Sequence, residues 1–99
     1  MQFEWDEAKN LTNQRKHKIS FELASRVFHD PLFVSIRDRM QDGEQRWQTF
    51  GEVEGSLVLM VVHTIWEEDA NGGFVEVIRV ISARQASRKE RETYEDESG

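Results

Sequence analysis

Cysteine is absent from this 99-residue chain, proline occurs once, at Pro31, and histidine only three times. Without cysteine there is no disulfide framework and no thiolate zinc site, and a reducing compartment fits. His17, His29 and His63 lack the spacing of a helical metal pair, so no metal centre and no other cofactor is expected. Long hydrophobic runs are missing too: the longest, Leu57 to Val62, is far too short to span a bilayer. Met1 leads straight into Gln2-Phe3-Glu4-Trp5-Asp6, with neither a cationic start nor an apolar stretch, so no signal peptide is expected. The expectation is a soluble cytoplasmic protein without membrane contact. No glycine-rich phosphate loop, Walker lysine, dinucleotide fingerprint or Gly-x-Ser-x-Gly elbow occurs, which leaves nucleotide-dependent chemistry and serine hydrolysis unsupported.

What is present is enough apolar matter, 37% with 10% aromatics, for one folded domain spanning residues 1–99 with a single small core. The charge is unevenly placed. The chain carries a formal net charge of −6, yet between Lys9 and His29 five cations face Glu22 alone. Between Arg79 and Arg91 five more face Glu90 alone. Each island is +4 in an acidic protein, which adds nothing to solubility but creates a local field suited to a polyanion or an acidic partner.

Phe3 and Trp5 alternate with Glu4 and predict a short edge strand; Asp6 then caps a helix over Ala8 to Lys18. Ser20 caps a second, in which Phe21, Ala24, Val27 and Phe28 recur at helical spacing until Pro31 stops it. Beyond Pro31 the period changes. Phe33 to Arg37 and Arg46 to Val53 read as strands around a polar run, Asp38 to Gln45, and Glu54-Gly55 marks a tight turn. Leu57 to Trp66, apolar on both parities, predicts a strand near the middle of the sheet. Glu67 to Gly73 reads as a hairpin loop and Phe74 to Ser82 as the next strand. Ser87-Arg88-Lys89-Glu90 is a capping box opening a helix to about Asp96, with fraying expected from about residue 95. That helix has only Tyr94 as a sizeable apolar residue. The order predicts an α+β domain: two N-terminal helices and one C-terminal helix on an antiparallel sheet.

Arg15-Lys16-His17-Lys18 falls where the first helix ends. It reads either as a dipole-favoured stop signal or as a phosphodiester site whose histidine moves protons near neutral pH. Glu44 and Arg46 read either as a rim salt bridge or as a proton acceptor beside a phosphate clamp. Arg79 shares parity with Val75, Val77 and Ile81, so it requires a carboxylate partner or a cleft reached by water or substrate. His63 intrudes into the central strand, and its more common role there is a hydrogen-bonded core residue. Arg84 ends the last strand before the basic helix. The chemistry open to Arg, Lys, His and Glu without a metal is phosphodiester cleavage through an RNA 2′-hydroxyl.

Taken in order, Phe3-Glu4-Trp5-Asp6-x-x-Lys9, Asn13-x-x-Lys16-His17-x-Ile19-Ser20-Phe21-Glu22-x-Ala24 and Val27-Phe28-x-Asp30-Pro31 resemble the opening of BrnT-type toxins. Gly43-Glu44-x-Arg46, Gly51 and Val61-Val62-His63-Thr64 resemble that family's middle. Arg79-Val80-Ile81-Ser82-Ala83-Arg84-x-Ala86-Ser87-x-x-Glu90-Arg91-x-x-Tyr94 resembles its C-terminal signature. The resemblance runs from Phe3 to Tyr94. It implies a RelE-like fold, with helices on one face of an antiparallel sheet and the active face opposite. It also implies a metal-independent endoribonuclease that blocks translation in a type II toxin–antitoxin system. The partner implied is a BrnA-type antitoxin, through which the complex meets operator DNA. Lys16, His17, Glu44, Arg46, Arg79 and Arg84 are the catalytic and RNA-binding positions carried over. Arg46, Arg79 and Arg84 would serve as phosphate ligands, His17 or Glu44 as proton-transfer groups, and Lys16 as a screen. The Glu67 to Gly73 loop looks longer and more acidic than is usual in the family. The competing expectation is a non-catalytic toxin-like module that binds antitoxin and acts as co-repressor at its own promoter.

Overall fold

The computed structural model describes residues 1–98. The elements are β1 (Gln2–Glu4), α1 (Glu7–His17), α2 (Phe21–Ser25), a 3-10 turn (Arg26–His29), β2 (Val34–Gln41), β3 (Glu44–Val53), β4 (Leu57–Ala70), β5 (Gly73–Gln85) and α3 (Arg88–Ser98). No helix among the described residues is long and apolar enough to cross a membrane.

The five strands form one sheet in the order β1-β5-β4-β3-β2. β4 lies at its centre and is covered on both faces, as its apolar pattern predicts. Leu59 and Val61 are fully buried against α2 and the 3-10 turn, with Phe21, Ala24 and Val27. The alternate residues Val58 and Met60 pack with Phe50 of β3 and with Ala86 and Tyr94 of the C-terminal segment. This corrects the expected layering: α1 and α2 cover one face, and α3 covers part of the other. The sheet is also mixed, because β1 runs parallel to β5, pairing Gln2 with Val77 and Glu4 with Arg79.

Two predicted loops are strand. Asp42-Gly43 and Asn71-Gly72 are two-residue turns with φ of 52° and 81°, and 35° and 86°. Both central residues lie in the left-handed region, as tight hairpins require. The flanking polar residues Asp38 to Gln41 and Glu67 to Ala70 therefore extend β2 and β4. They hid their strands because these hairpin ends have no buried face to impose alternation. At the other end, α3 continues through Glu95, Asp96 and Glu97, where fraying was expected, to Ser98.

Asp6 caps α1 through the N–H groups of Ala8 and Lys9. α1 has no apolar stripe; its buried residues are Asn10 and Asn13. The Asn13 carboxamide donates to the carbonyls of Ile19 and Ala83, both at 2.8 Å, and accepts from the Ala83 N–H. It thus serves the edge of β5 as a neighbouring strand would, at a position β1 is too short to reach. Asn10 accepts from the Phe21 N–H at 2.8 Å and joins α1 to α2. Gly51 allows the 3-10 turn to sit on β3: a Cβ there would lie 2.7 Å from Val27 Cγ1 and 2.8 Å from the Val27 carbonyl.

Candidate functional site

Arg79 and Arg84 are five residues apart, so a regular strand would point them to opposite faces. The β4–β5 ladder is irregular here: Val62 pairs with Ser82 but His63 pairs with Val80, leaving Ile81 as an extra residue in β5. Past that bulge Arg79 pairs with Thr64 and Arg84 with Met60, which lie on the same face of β4. The bulge therefore sets both side chains on the α3 face, with their backbone positions about 13 Å apart along the strand. Arg46 stands one residue beyond the last β3–β4 pair, Trp47 with His63, and shares the parity of Gln48 and Phe50 on that face.

Both arginines of β5 hold carboxylates. Arg79 meets Glu4 of β1 at 2.8 Å, each side chain a little over two-fifths exposed. This is the partner that an arginine among apolar neighbours requires, and it comes from 75 residues away. Arg84 makes a two-pronged contact with Glu90, at 2.7 and 3.0 Å. Glu90 also accepts from the Ser87 N–H at 2.9 Å, while Ser87 Oγ accepts from the Glu90 N–H at 3.2 Å, so the predicted capping box forms. The Arg84 hydrogen bonds pull the Glu90 carboxyl down from its ordinary 4.5 to about 2, against the opposing effect of burial. Tyr94 finishes the docking of α3 with a short hydrogen bond from its hydroxyl to Asp30. Burial pushes the Asp30 carboxyl up, but this bond and the N–H groups of Glu52 and Leu32 outweigh it and leave the group lowered.

Lys16 and His17 reach β5 from the opposite side, around its open edge. They line a cleft of about 350 Å³ together with Lys9, Asn13, Ile81 and Ser82. The bulge residue Ile81 and its neighbour Ser82 lie between Arg79 and Arg84 in β5, so the two basic islands of the sequence converge on one stretch of strand. Glu44 is apart from this group: it is exposed beside the Asp42-Gly43 turn, paired with Gln41. His63 is a core residue, 3% exposed. Its Nε2 meets the Thr49 hydroxyl at 2.6 Å and its Nδ1 the Thr64 carbonyl at 3.2 Å, and burial lowers its pKa.

Sequence reasoning passed over Ser82 and Thr64. Thr64 is 3% exposed, pairs directly with Arg79, and its hydroxyl has no hydrogen-bond partner among the described residues. Nothing in a run of apolar strand residues singles out a threonine. Only the register next to an arginine does so.

Residues 5–90 match the family model described as the ribonuclease toxin, BrnT, of type II toxin–antitoxin systems. The chain belongs to the BrnT family. A 1.1 Å crystal structure of the Brucella abortus ribonuclease toxin BrnT superposes with a TM-score of 0.58 at 26% identity, covering 89% of this chain and 99% of that one. No curated protein sequence matches it. The matched region takes in the first island, the second as far as Glu90, and the bulge, and omits β1 and most of α3. A BrnT domain thus carries the α+β architecture, and membership of a type II family implies an antitoxin partner.

Proposed function

We propose that this chain is a metal-independent endoribonuclease toxin that blocks translation and is neutralised by a BrnA-type antitoxin, through which the complex meets operator DNA. The observation that carries this reading is the convergence of Lys16 and His17 with the Ile81–Ser82 bulge between Arg79 and Arg84. An RNA phosphodiester laid across β5 there meets cations from both sides. A base removes the 2′-hydroxyl proton, the oxygen attacks phosphorus, and an acid protonates the departing 5′ oxygen, leaving a 2′,3′-cyclic phosphate. His17 is the proton-transfer group that lies at the bulge; Glu44 can supply the other proton transfer only to an RNA that also reaches the β2–β3 turn.

The arginines differ in readiness. The half-exposed Arg79–Glu4 pair is of a kind worth about 0–1 kcal/mol, so a phosphate exchanges with Glu4 at small cost. Arg84 is held by two bonds to a carboxylate that is itself tied into the α3 cap, so it acts mainly by fixing the wall of the site. Arg46 serves the phosphate on the β3 side, and Lys16 screens the charge of the attacked phosphorane.

The test is cleavage of a defined RNA in excess EDTA by purified wild type and by Arg79→Ala/Arg84→Ala, with folding checked by circular dichroism. Loss of at least about 10²-fold is expected, the scale of removing preorganised charge stabilisation. Full cleavage by a folded double variant overturns the site. One observation favours a second reading, in which the fold binds antitoxin and represses without cutting RNA: both β5 arginines are already ion-paired. No cleavage by wild type, with operator binding only in the antitoxin complex, would establish that reading instead.

A further inference from the structure

The ladder between β3 and β4 ends at Trp47 and His63, while β4 and β5 continue together to the Ala70–Gly73 turn. The result is a two-stranded arm. From Ile65 to Ala70 the outer edge of β4 has no ladder partner among the described residues. At the base of the arm, on the α2 side, a cavity of about 220 Å³ opens between Met1, Phe33, Trp47 and Ile65. Met1, Phe33 and Ile65 are 53%, 41% and 39% exposed, an apolar cluster with no cover. Glu76 also lines this cavity, and farther out the same face carries Glu67 and Asp69. Glu67 and Glu76 are direct cross-strand partners, and like charges so placed repel each other. From Trp47 to Ile78 the chain has six carboxylates and no lysine or arginine.

A bare edge beside an apolar cavity is a strand-pairing site, and its charge selects the occupant. RNA and anionic lipid are repelled. A second copy of this chain docked edge to edge would set two acidic arms side by side. A cationic strand relieves the Glu67–Glu76 repulsion and satisfies the edge.

We propose that the β4 edge and the Met1–Phe33–Ile65 cavity dock an extended, cationic segment of a partner protein. Its apolar side chains fill the cavity and its lysines or arginines lie over Glu67, Asp69 and Glu76. This surface is on the α2 face, away from Arg79 and Arg84, so the inference goes beyond the ribonuclease reading and does not depend on RNA cleavage.

The test uses the full chain, ¹⁵N-labelled, titrated with a capped heptapeptide of alternating threonines whose other positions run leucine, leucine, lysine, lysine. Amide shifts are expected at Phe33 and along Ile65 to Glu76. Affinity should fall at least fivefold in Glu67→Gln/Glu76→Gln, which also raises the Tm by removing the repulsion. It should be unchanged in Glu52→Gln/Glu54→Gln, which removes the same charge elsewhere, and the glutamate version of the peptide should not bind. Absence of binding at millimolar peptide, shifts centred instead on the groove that Val34, Ile36, Phe50 and Thr93 line between β2 and α3, or equal weakening in both double variants overturns the proposal.

Discussion

The two basic islands have equal formal charge and opposite electrostatic states. In the first, Lys9, Arg15 and Lys16 form no ion pair among the described residues, and Arg26 meets Glu54 only at 3.5 Å with both side chains mostly exposed. In the second, Arg79, Arg84 and Arg88 hold Glu4, Glu90 and Glu92. Charge counted along a sequence therefore does not measure charge available to a ligand. The partner of Arg79 lies 75 residues away, and that of Arg84 is recruited by a helix cap. The first island offers cations to solvent; the second spends Arg79 and Arg84 on holding β1 and α3 to β5, and Arg88 on a pair within α3.

The strongest way to break this comparison is to separate the islands. Asn13→Ala leaves the Ala83 N–H and the carbonyls of Ala83 and Ile19 without their partner. Lost buried hydrogen bonds predict about 2–4 kcal/mol of destabilisation in urea unfolding, with RNA cleavage falling as α1 leaves the β5 edge.

Next in size is Glu90→Gln, which removes the two-pronged Arg84 contact and weakens the cap, costing about 1–2 kcal/mol. The sign with pH follows from the lowered pKa. The contribution is complete above 4.5, where Glu90 is ionised in both folded and unfolded chains, and is lost as pH falls through about 2. Acid unfolding of Glu90→Gln should lack that part of the wild-type loss between pH 4.5 and 2. His63 adds an earlier loss in wild type and variant alike. Burial holds it neutral when folded, so stability declines as pH drops below 6.5, where the unfolded chain takes up a proton.

How far these features were legible depends on whether a local or a distant neighbour decides them. The caps at Asp6, Ser20 and Ser87, the central place of β4 and the Glu54-Gly55 turn rest on nearby residues, and all appear in the structure. The bulge at Ile81, the parallel pairing of β1 and the Asn13 bridge depend on contacts up to 75 residues away, and no periodicity reports them. So Arg79 was recognisable as an oddity, but not its carboxylate, nor its sharing a face with Arg84. α1 was found by its cap, yet a helix that packs through asparagines carries no apolar stripe to show which side faces the sheet.

Smaller effects sharpen the contrast. Lys16→Ala and His17→Ala touch no ion pair, so the Tm should hold while the cleavage rate drops at least tenfold. Glu4→Gln should do the reverse of damage. With its competitor gone, Arg79 binds RNA up to about fivefold more tightly, the equivalent of an exposed ion pair, and the gain shrinks as salt is raised.

The central claim is that both islands serve one site across the β5 bulge. Its most direct test is single-turnover RNA cleavage in EDTA by wild type, Lys16→Ala, Arg79→Ala and the combined variant. A shared site predicts that each single change lowers the rate at least tenfold and that the combined loss is smaller than the product of the two. A full rate in either folded single variant, or losses that simply multiply, would contradict it.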